Sequence, residues 1–120
     1  MSQHETLALA QSLIRIPSFN PPGKEDAIAT FTASWLKKQG IEASLVPLEA
    51  GRSSVVARIP GRRRGSLVLC GHLDTVVANR DAWTRDPFDP VLESGRLWGL
   101  GAADMKTGVA VILQTAARIV

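Results

Sequence analysis

The sequence predicts an α/β fold in which a mixed β-sheet is flanked by helices, and three observations predict it. Apolar residues recur at helical spacing over 6–39, and after Gly40 the period drops to two. Two further apolar runs, 54–59 and 66–70, are bounded by turn residues as strands are. The sequence then closes on a long apolar segment, 102–120, of helical length. Helices, then strands, then another helix is the order of a layered α/β structure.

The first helix is expected over 6–15, with Leu7, Ala10, Leu13 and Ile14 on one face. It stops at Ile16-Pro17, because the residue before a proline is pushed out of helical geometry. Asn20-Pro21-Pro22-Gly23 reads as a rigid turn. A second helix is expected over 24–39, with Ile28, Phe31, Trp35 and Leu36 as its apolar stripe. Lys37 and Lys38 suit the negative end of its dipole, and Gly40 is the left-handed stop. Ile41, Ala43 and Leu45 alternate with Glu42 and Ser44, which predicts a half-exposed strand ending at Pro47. The runs 54–59 and 66–70 predict two more strands, joined by a turn tipped with Arg62, Arg63 and Arg64. The second run is apolar throughout and is expected inside the sheet. Residues 78–90 are polar and aperiodic, a long loop of the kind that carries function. A strand or hairpin is expected over 91–98, turning at Glu93-Ser94-Gly95. The helix over 102–120 is apolar on most sides and is expected to be buried.

The 120 residues suit a single domain, and 45% apolar with 21% charged residues fits a soluble globular chain rather than a disordered one. No apolar stretch is long enough to span a bilayer, and MSQHETLALA lacks the features of a signal peptide. One cysteine excludes an internal disulfide framework and fits a reducing compartment. The expected location is therefore cytoplasmic, without a membrane partner. The net charge of +3 is modest. The arginine triplet lies between Pro60-Gly61 and Gly65 with no aromatic residue interleaved, so it offers no platform for stacked bases and no nucleic-acid partner is expected. The apolar helix at 116–120 has neither cap nor stop signal, which leads us to expect that 1–120 is the front part of a larger domain.

Two motifs carry chemistry. In CGHLDTV, residues 70–76, His72 and Asp74 stand two apart at the end of an apolar run. On an extended backbone they point to one side. A neutral imidazole is a common metal ligand whose second nitrogen is held by a carboxylate or carbonyl. A core histidine satisfied by a nearby aspartate fits the same pattern without any metal. Cys70 shares the strand face of His72, yet it closes an apolar run, where free cysteine packs as a small hydrophobe; packing is its expected role. The second motif, GLGAADMKTG at 99–108, opens like a dinucleotide fingerprint. Asp104 occupies the third glycine position, and a carboxylate there repels a pyrophosphate. The glycines instead allow close backbone approach around one acidic residue. Asp104 could also be an N-cap of the following helix, but that leaves the glycines and Lys106 unexplained.

Taken together, GHLDTV, WTRDPF and GRLWGLGAADMKTG resemble the family of co-catalytic zinc metallopeptidases and amidohydrolases, which includes acetylornithine deacetylase, succinyl-diaminopimelate desuccinylase, aminoacylase and glutamate carboxypeptidase. The resemblance covers nearly the whole chain and extends, less diagnostically, to Asn20-Pro21-Pro22-Gly23 with Glu25. It implies that 1–120 is the N-terminal portion of a zinc-peptidase catalytic domain, with no second domain present. It implies that His72 binds one metal, that Asp104 bridges two, and that Asp74 fixes and tunes His72 as a residue of the catalytic centre. It also implies a cis peptide at Asp104-Met105. Leu100 and Thr107 depart from the family pattern, where arginine and glycine are frequent, and neither is a metal-binding position.

The implied cofactors are two divalent metal ions, Zn²⁺ first, with Co²⁺ or Mn²⁺ as substitutes. The implied reaction is hydrolysis of amide bonds in small-molecule N-acyl amino acid or peptide substrates. Family members take their general base, a glutamate, and their remaining ligands from positions beyond Asp104, so the isolated 120 residues are expected to be inactive. Relatives often carry a smaller inserted domain for dimerisation, which implies a homodimer for the full-length protein. The rival reading is a non-catalytic binding or scaffold module that keeps the fold without the chemistry. The joint presence of His72, Asp74 and Asp104 speaks against it.

Overall fold

A computed structural model describes residues 2–120. Helix α1 spans Gln3–Ile14 and starts three residues earlier than the apolar stripe suggests, because Ser2 and Glu5 form a capping box. The Ser2 hydroxyl accepts from the Glu5 amide and the Glu5 carboxylate accepts from the Ser2 amide, satisfying two donors that the helix start leaves free. Helix α2 spans Asp26–Lys38. It ends where expected, with Gly40 at φ +78 in the left-handed region that glycine enters without penalty.

Strand β1, Glu42–Glu49, and strand β2, Arg52–Arg58, form one antiparallel ladder that packs on α2. Strands β3, Val91–Glu93, and β4, Arg96–Trp98, form a second. The β3–β4 hairpin turns at Ser94-Gly95, both with positive φ, the two-residue loop that matches strand twist. The long loop 78–90 holds one short helical turn, Arg80–Ala82. Helix α3, Thr107–Ile119, lies against α1. Among the described residues, no helix is long and apolar enough to cross a membrane.

The core is gathered from all three helices and from β1. Ala10, Leu13, Ile28 and Ala110 are fully buried, with Leu36, Ile41, Ala43, Val109 and Leu113 nearly so. Burying side chains of this size stabilises the fold by about 1.5–3 kcal/mol each for the larger ones.

The α/β class holds, with its strands in two small antiparallel ladders. Four expectations are corrected. Residues 66–70 pair with no strand among the described residues, and Leu67 and Val68 stay 80% and 79% exposed. A strand is buried inside a sheet only when neighbours flank both edges, and β2 pairs with β1 instead. The arginine triplet therefore tips an exposed bend rather than a hairpin, and Cys70 is exposed rather than packed. Finally, α3 buries one face through Val109, Ala110 and Leu113, while Val111 and Ile119 remain exposed.

Candidate metal centre

Outside the ladders, one isolated parallel bridge ties the segment after α1 to the first motif. Residue Phe19 forms a parallel bridge with Thr75. The Thr75 amide donates to the Ser18 carbonyl at 3.0 Å, and the Asn20 amide donates to the Thr75 carbonyl at 2.8 Å. The buried Ser18 hydroxyl adds a 2.7 Å bond to the Leu73 carbonyl. The segment after α1 thus fixes the backbone on which His72 and Asp74 stand.

The second motif arrives through the turn Ala102–Lys106, which precedes α3. Asp104 and Met105 have non-helical dihedrals there, and the peptide between them is cis, as the family resemblance implies. Glycine is required at 101: its φ is +81, and a Cβ would sit 2.7 Å from Thr75 Cγ2. At Gly99 a Cβ would come within 2.8 Å of Ile14 Cγ2. The two glycines let this turn press against α1 and against the 72–75 segment. The Asp104 side chain does not cap α3, so the N-cap reading falls away.

His72 lies between two carboxylates. Its Nδ1 donates to the Asp74 carbonyl oxygen at 3.0 Å and lies 3.1 Å from Asp74 Oδ1. A carbonyl can only accept, so Nδ1 carries a proton. Nε2 lies 2.8 Å from Asp104 Oδ1. An ionised carboxylate also only accepts, so both ring nitrogens are called on to donate, and the charged imidazolium is favoured. The His72 pKa is accordingly raised above 6.5, first by the Asp104 hydrogen bond and next in the same sense by Asp74. Asn20 extends the row, its Nδ2 donating to Asp74 Oδ2 at 3.3 Å. The His72 amide points at Met105 Sδ, 3.4 Å away. All three residues singled out by sequence are therefore in contact.

They open on a cleft of about 350 Å³ that is also lined by Asn20, Trp83 and Gly101. Asp104 is the most accessible of the group, its side chain 85% exposed, with Oδ2 unbonded among the described residues. A neutral imidazole nitrogen and a carboxylate facing one another are the donor types that zinc and related ions take. No group of three such donors gathers among the described residues, so the pair fits a metal as part of a site. Asn20 and Trp83 were not legible as site residues, since only the fold brings the turn at 20–23 and the loop at 78–90 to the motif.

Lys106 follows two residues behind Asp104 and is 1% exposed. Its Nζ donates to the carbonyls of Leu13, at 3.0 Å, and Ile16, at 2.7 Å, where α1 ends. Burial lowers its pKa from 10.5 to about 8.

Residues 68–120 match Peptidase family M20/M25/M40. The chain is 37% identical to the acetylornithine deacetylase of Photorhabdus laumondii over 89% of its own length and 29% of that protein. It is 36% identical to the acetylornithine deacetylase of Shigella sonnei over 91% of its length and 30% of that protein. It is 41% identical to the succinyl-diaminopimelate desuccinylase of Methylorubrum extorquens over 94% of its length and 30% of that protein. The chain thus spans under a third of the length of these relatives, and the family match at 68–120 takes in both motifs. By these matches, residues 68–120 carry the sequence pattern of Peptidase family M20/M25/M40, and the chain as a whole is similar to the deacetylases and the desuccinylase named above.

Proposed function

We propose that this chain supplies one edge of a two-metal centre in a hydrolase of amide bonds, acting on N-acyl amino acids or small peptides. The observation that carries the reading is the apposition of His72 Nε2 and Asp104 Oδ1 at 2.8 Å across the cleft. His72 would hold one ion through Nε2. Asp104 would bridge the two. Asp74 would hold Nδ1–H and so keep Nε2 as the coordinating nitrogen. When bound, divalent ions there, Zn²⁺ first with Co²⁺ or Mn²⁺ as substitutes, would supply polarisation of a scissile carbonyl and a lowered pKa of water.

The residues of this chain then have defined tasks. His72 must shed its Nε2 proton before it can coordinate, so loading the site releases a proton. Trp83 gives the cleft an apolar wall against which a substrate can lie. The general base and the remaining ligands come from polypeptide outside 1–120, which on this reading is the N-terminal portion of a catalytic domain. The names of the relatives, a deacetylase and a desuccinylase, support an N-acyl substrate. A cytoplasmic enzyme working as a homodimer completes the reading.

Calorimetric titration with Zn²⁺ and Co²⁺ tests it. The full-length protein, which brings the remaining ligands, is expected to bind either ion, and His72→Ala and Asp104→Ala in it to abolish binding. Equal binding by wild type and Asp104→Ala would overturn the assignment. The 120-residue chain alone is expected to release no acetate from N-acetyl amino acids; turnover that depends on His72 and Asp104 would show that no further residues are needed.

A further inference from the structure

His72 and Asp104 lie 32 positions apart and on separate elements, yet their facing atoms are held at 2.8 Å. The two segments touch directly where the Met105 sulfur meets the His72 amide, where Met105 and Ile112 lie beside Gly71, and where Gly101 sits on Thr75. Both are also tied by hydrogen bonds to a third segment. From the Asp104 side, Lys106 reaches 90 and 93 positions back to the carbonyls of Ile16 and Leu13. From the His72 side, Ser18 holds Leu73 and Thr75, and Asn20 holds Thr75 and Asp74. The two sets of bonds converge on a single short stretch, 13–20, at the end of α1.

We propose that stretch 13–20 is a clasp that sets the spacing of His72 and Asp104, with Lys106 as its positioning residue on one side and Ser18 on the other. Neither touches the facing atoms. Lys106 answers two carbonyls at the end of α1: that of Leu13, which also accepts from the Ile16 amide at 3.2 Å, and that of Ile16, which has no further turn of helix to bond it. Because its backbone is two residues from Asp104, any slack in that bond becomes slack in the carboxylate. A buried ammonium is costly unless bonded, so the lysine has no alternative position nearby to relax into. Gly101 completes the seat, since its carbonyl accepts the Lys106 amide at 2.8 Å. The inference rests on the reading of His72 and Asp104 as a metal-binding pair for its consequence, though not for its geometry.

Two readouts test it and can fail separately. Nitrogen-15 spectra of the His72 ring in metal-free protein report whether Nε2 is bonded to a carboxylate. Wild type and Leu113→Ala, a core variant that makes none of the clasp's hydrogen bonds, are expected to share one Nε2 shift. Lys106→Met and Ser18→Ala are expected to move it toward the value of a free ring. Ser18→Ala removes a single hydroxyl and decides the matter should Lys106→Met not fold. Wild-type Nε2 shifts in the folded clasp variants would overturn the clasp, as would a wild-type protein with no His72–Asp104 bond. The second readout is Co²⁺ affinity, expected to fall about tenfold in both clasp variants, as for other groups that act on a ligand from behind, and to stay unchanged in Leu113→Ala. Should wild type bind no Co²⁺ while the ring spectra behave as stated, the metal reading fails and the clasp stands.

Discussion

Two pairs of opposite charge join distant parts of this chain, and they differ in what they leave over. Glu25 and Arg52 meet side on: Nε lies 3.0 and 3.2 Å from the two carboxylate oxygens, and Nη2 lies 2.8 Å from Oε1. Arg52 Nη1 goes to Glu49 at 3.1 Å. Glu25 is buried and its two oxygens are both occupied. His72 and Asp104 share one contact, on side chains 46% and 85% exposed, and Asp104 keeps an oxygen free among the described residues. The first pair braces the turn at 20–23 against the β1–β2 hairpin and has no capacity left for a ligand. The second has both accessibility and an unspent acceptor. Spare bonding capacity, rather than charge, separates a brace from a binding pair.

Substitutions should break this comparison in opposite directions. The largest effect is expected from Asp104→Ala, which should remove measurable Zn²⁺ and Co²⁺ binding in a calorimetric titration. Because its side chain is mostly solvated, the same change should leave stability within about 0.5 kcal/mol by denaturant unfolding. Next comes Asp74→Asn, which keeps the backbone carbonyl that accepts from Nδ1 but removes the carboxylate charge 3.1 Å from it; Co²⁺ affinity should fall by roughly tenfold. Glu25→Gln is the mirror image of Asp104→Ala. Its melting temperature should fall by ~5 °C, read by circular dichroism, while Co²⁺ affinity stays at the wild-type value.

The smallest effect is pH-dependent. The folded His72 pKa is raised, so the protonated pair stabilises the metal-free fold fully below about 6.5, the ordinary unfolded value. That contribution is lost as pH rises through the folded pKa. The pair is exposed, so the change should stay below about 1 kcal/mol, and His72→Gln should abolish it. Metal binding should respond in the opposite sense. Below the His72 pKa the apparent Co²⁺ affinity should drop by about tenfold per pH unit, since one proton must leave.

How far the sequence could be read depended on whether a feature is local. Helices α1 and α2, the β1 strand and the Ser94-Gly95 turn follow from periodicity and turn residues within each segment. His72, Asp74 and Asp104 were singled out because GHLDTV and GLGAADMKTG together resemble the motifs of a metallopeptidase family, whereas the His-x-Asp spacing alone fits a core histidine equally well. The capping box at Ser2 and Glu5 was also written in the sequence, as Ser-x-x-Glu ahead of an apolar stripe. Residues 66–70 misled because an apolar run shows that a strand could be buried, not what would bury it. Cys70 shared that error, being read from its neighbours. Lys106 and Asn20 were out of reach for the opposite reason: their partners lie 90 and 54 positions away, and only the fold supplies them.

The most direct test of this account sets Asp104→Ala beside Glu25→Gln in one experiment, a Co²⁺ titration followed by thermal unfolding of each sample. The account predicts a crossed result: Asp104→Ala melts like wild type and binds no Co²⁺, and Glu25→Gln melts lower and binds Co²⁺ like wild type. If Asp104→Ala keeps wild-type Co²⁺ affinity, the pair at His72 and Asp104 is a second brace and the central claim is wrong.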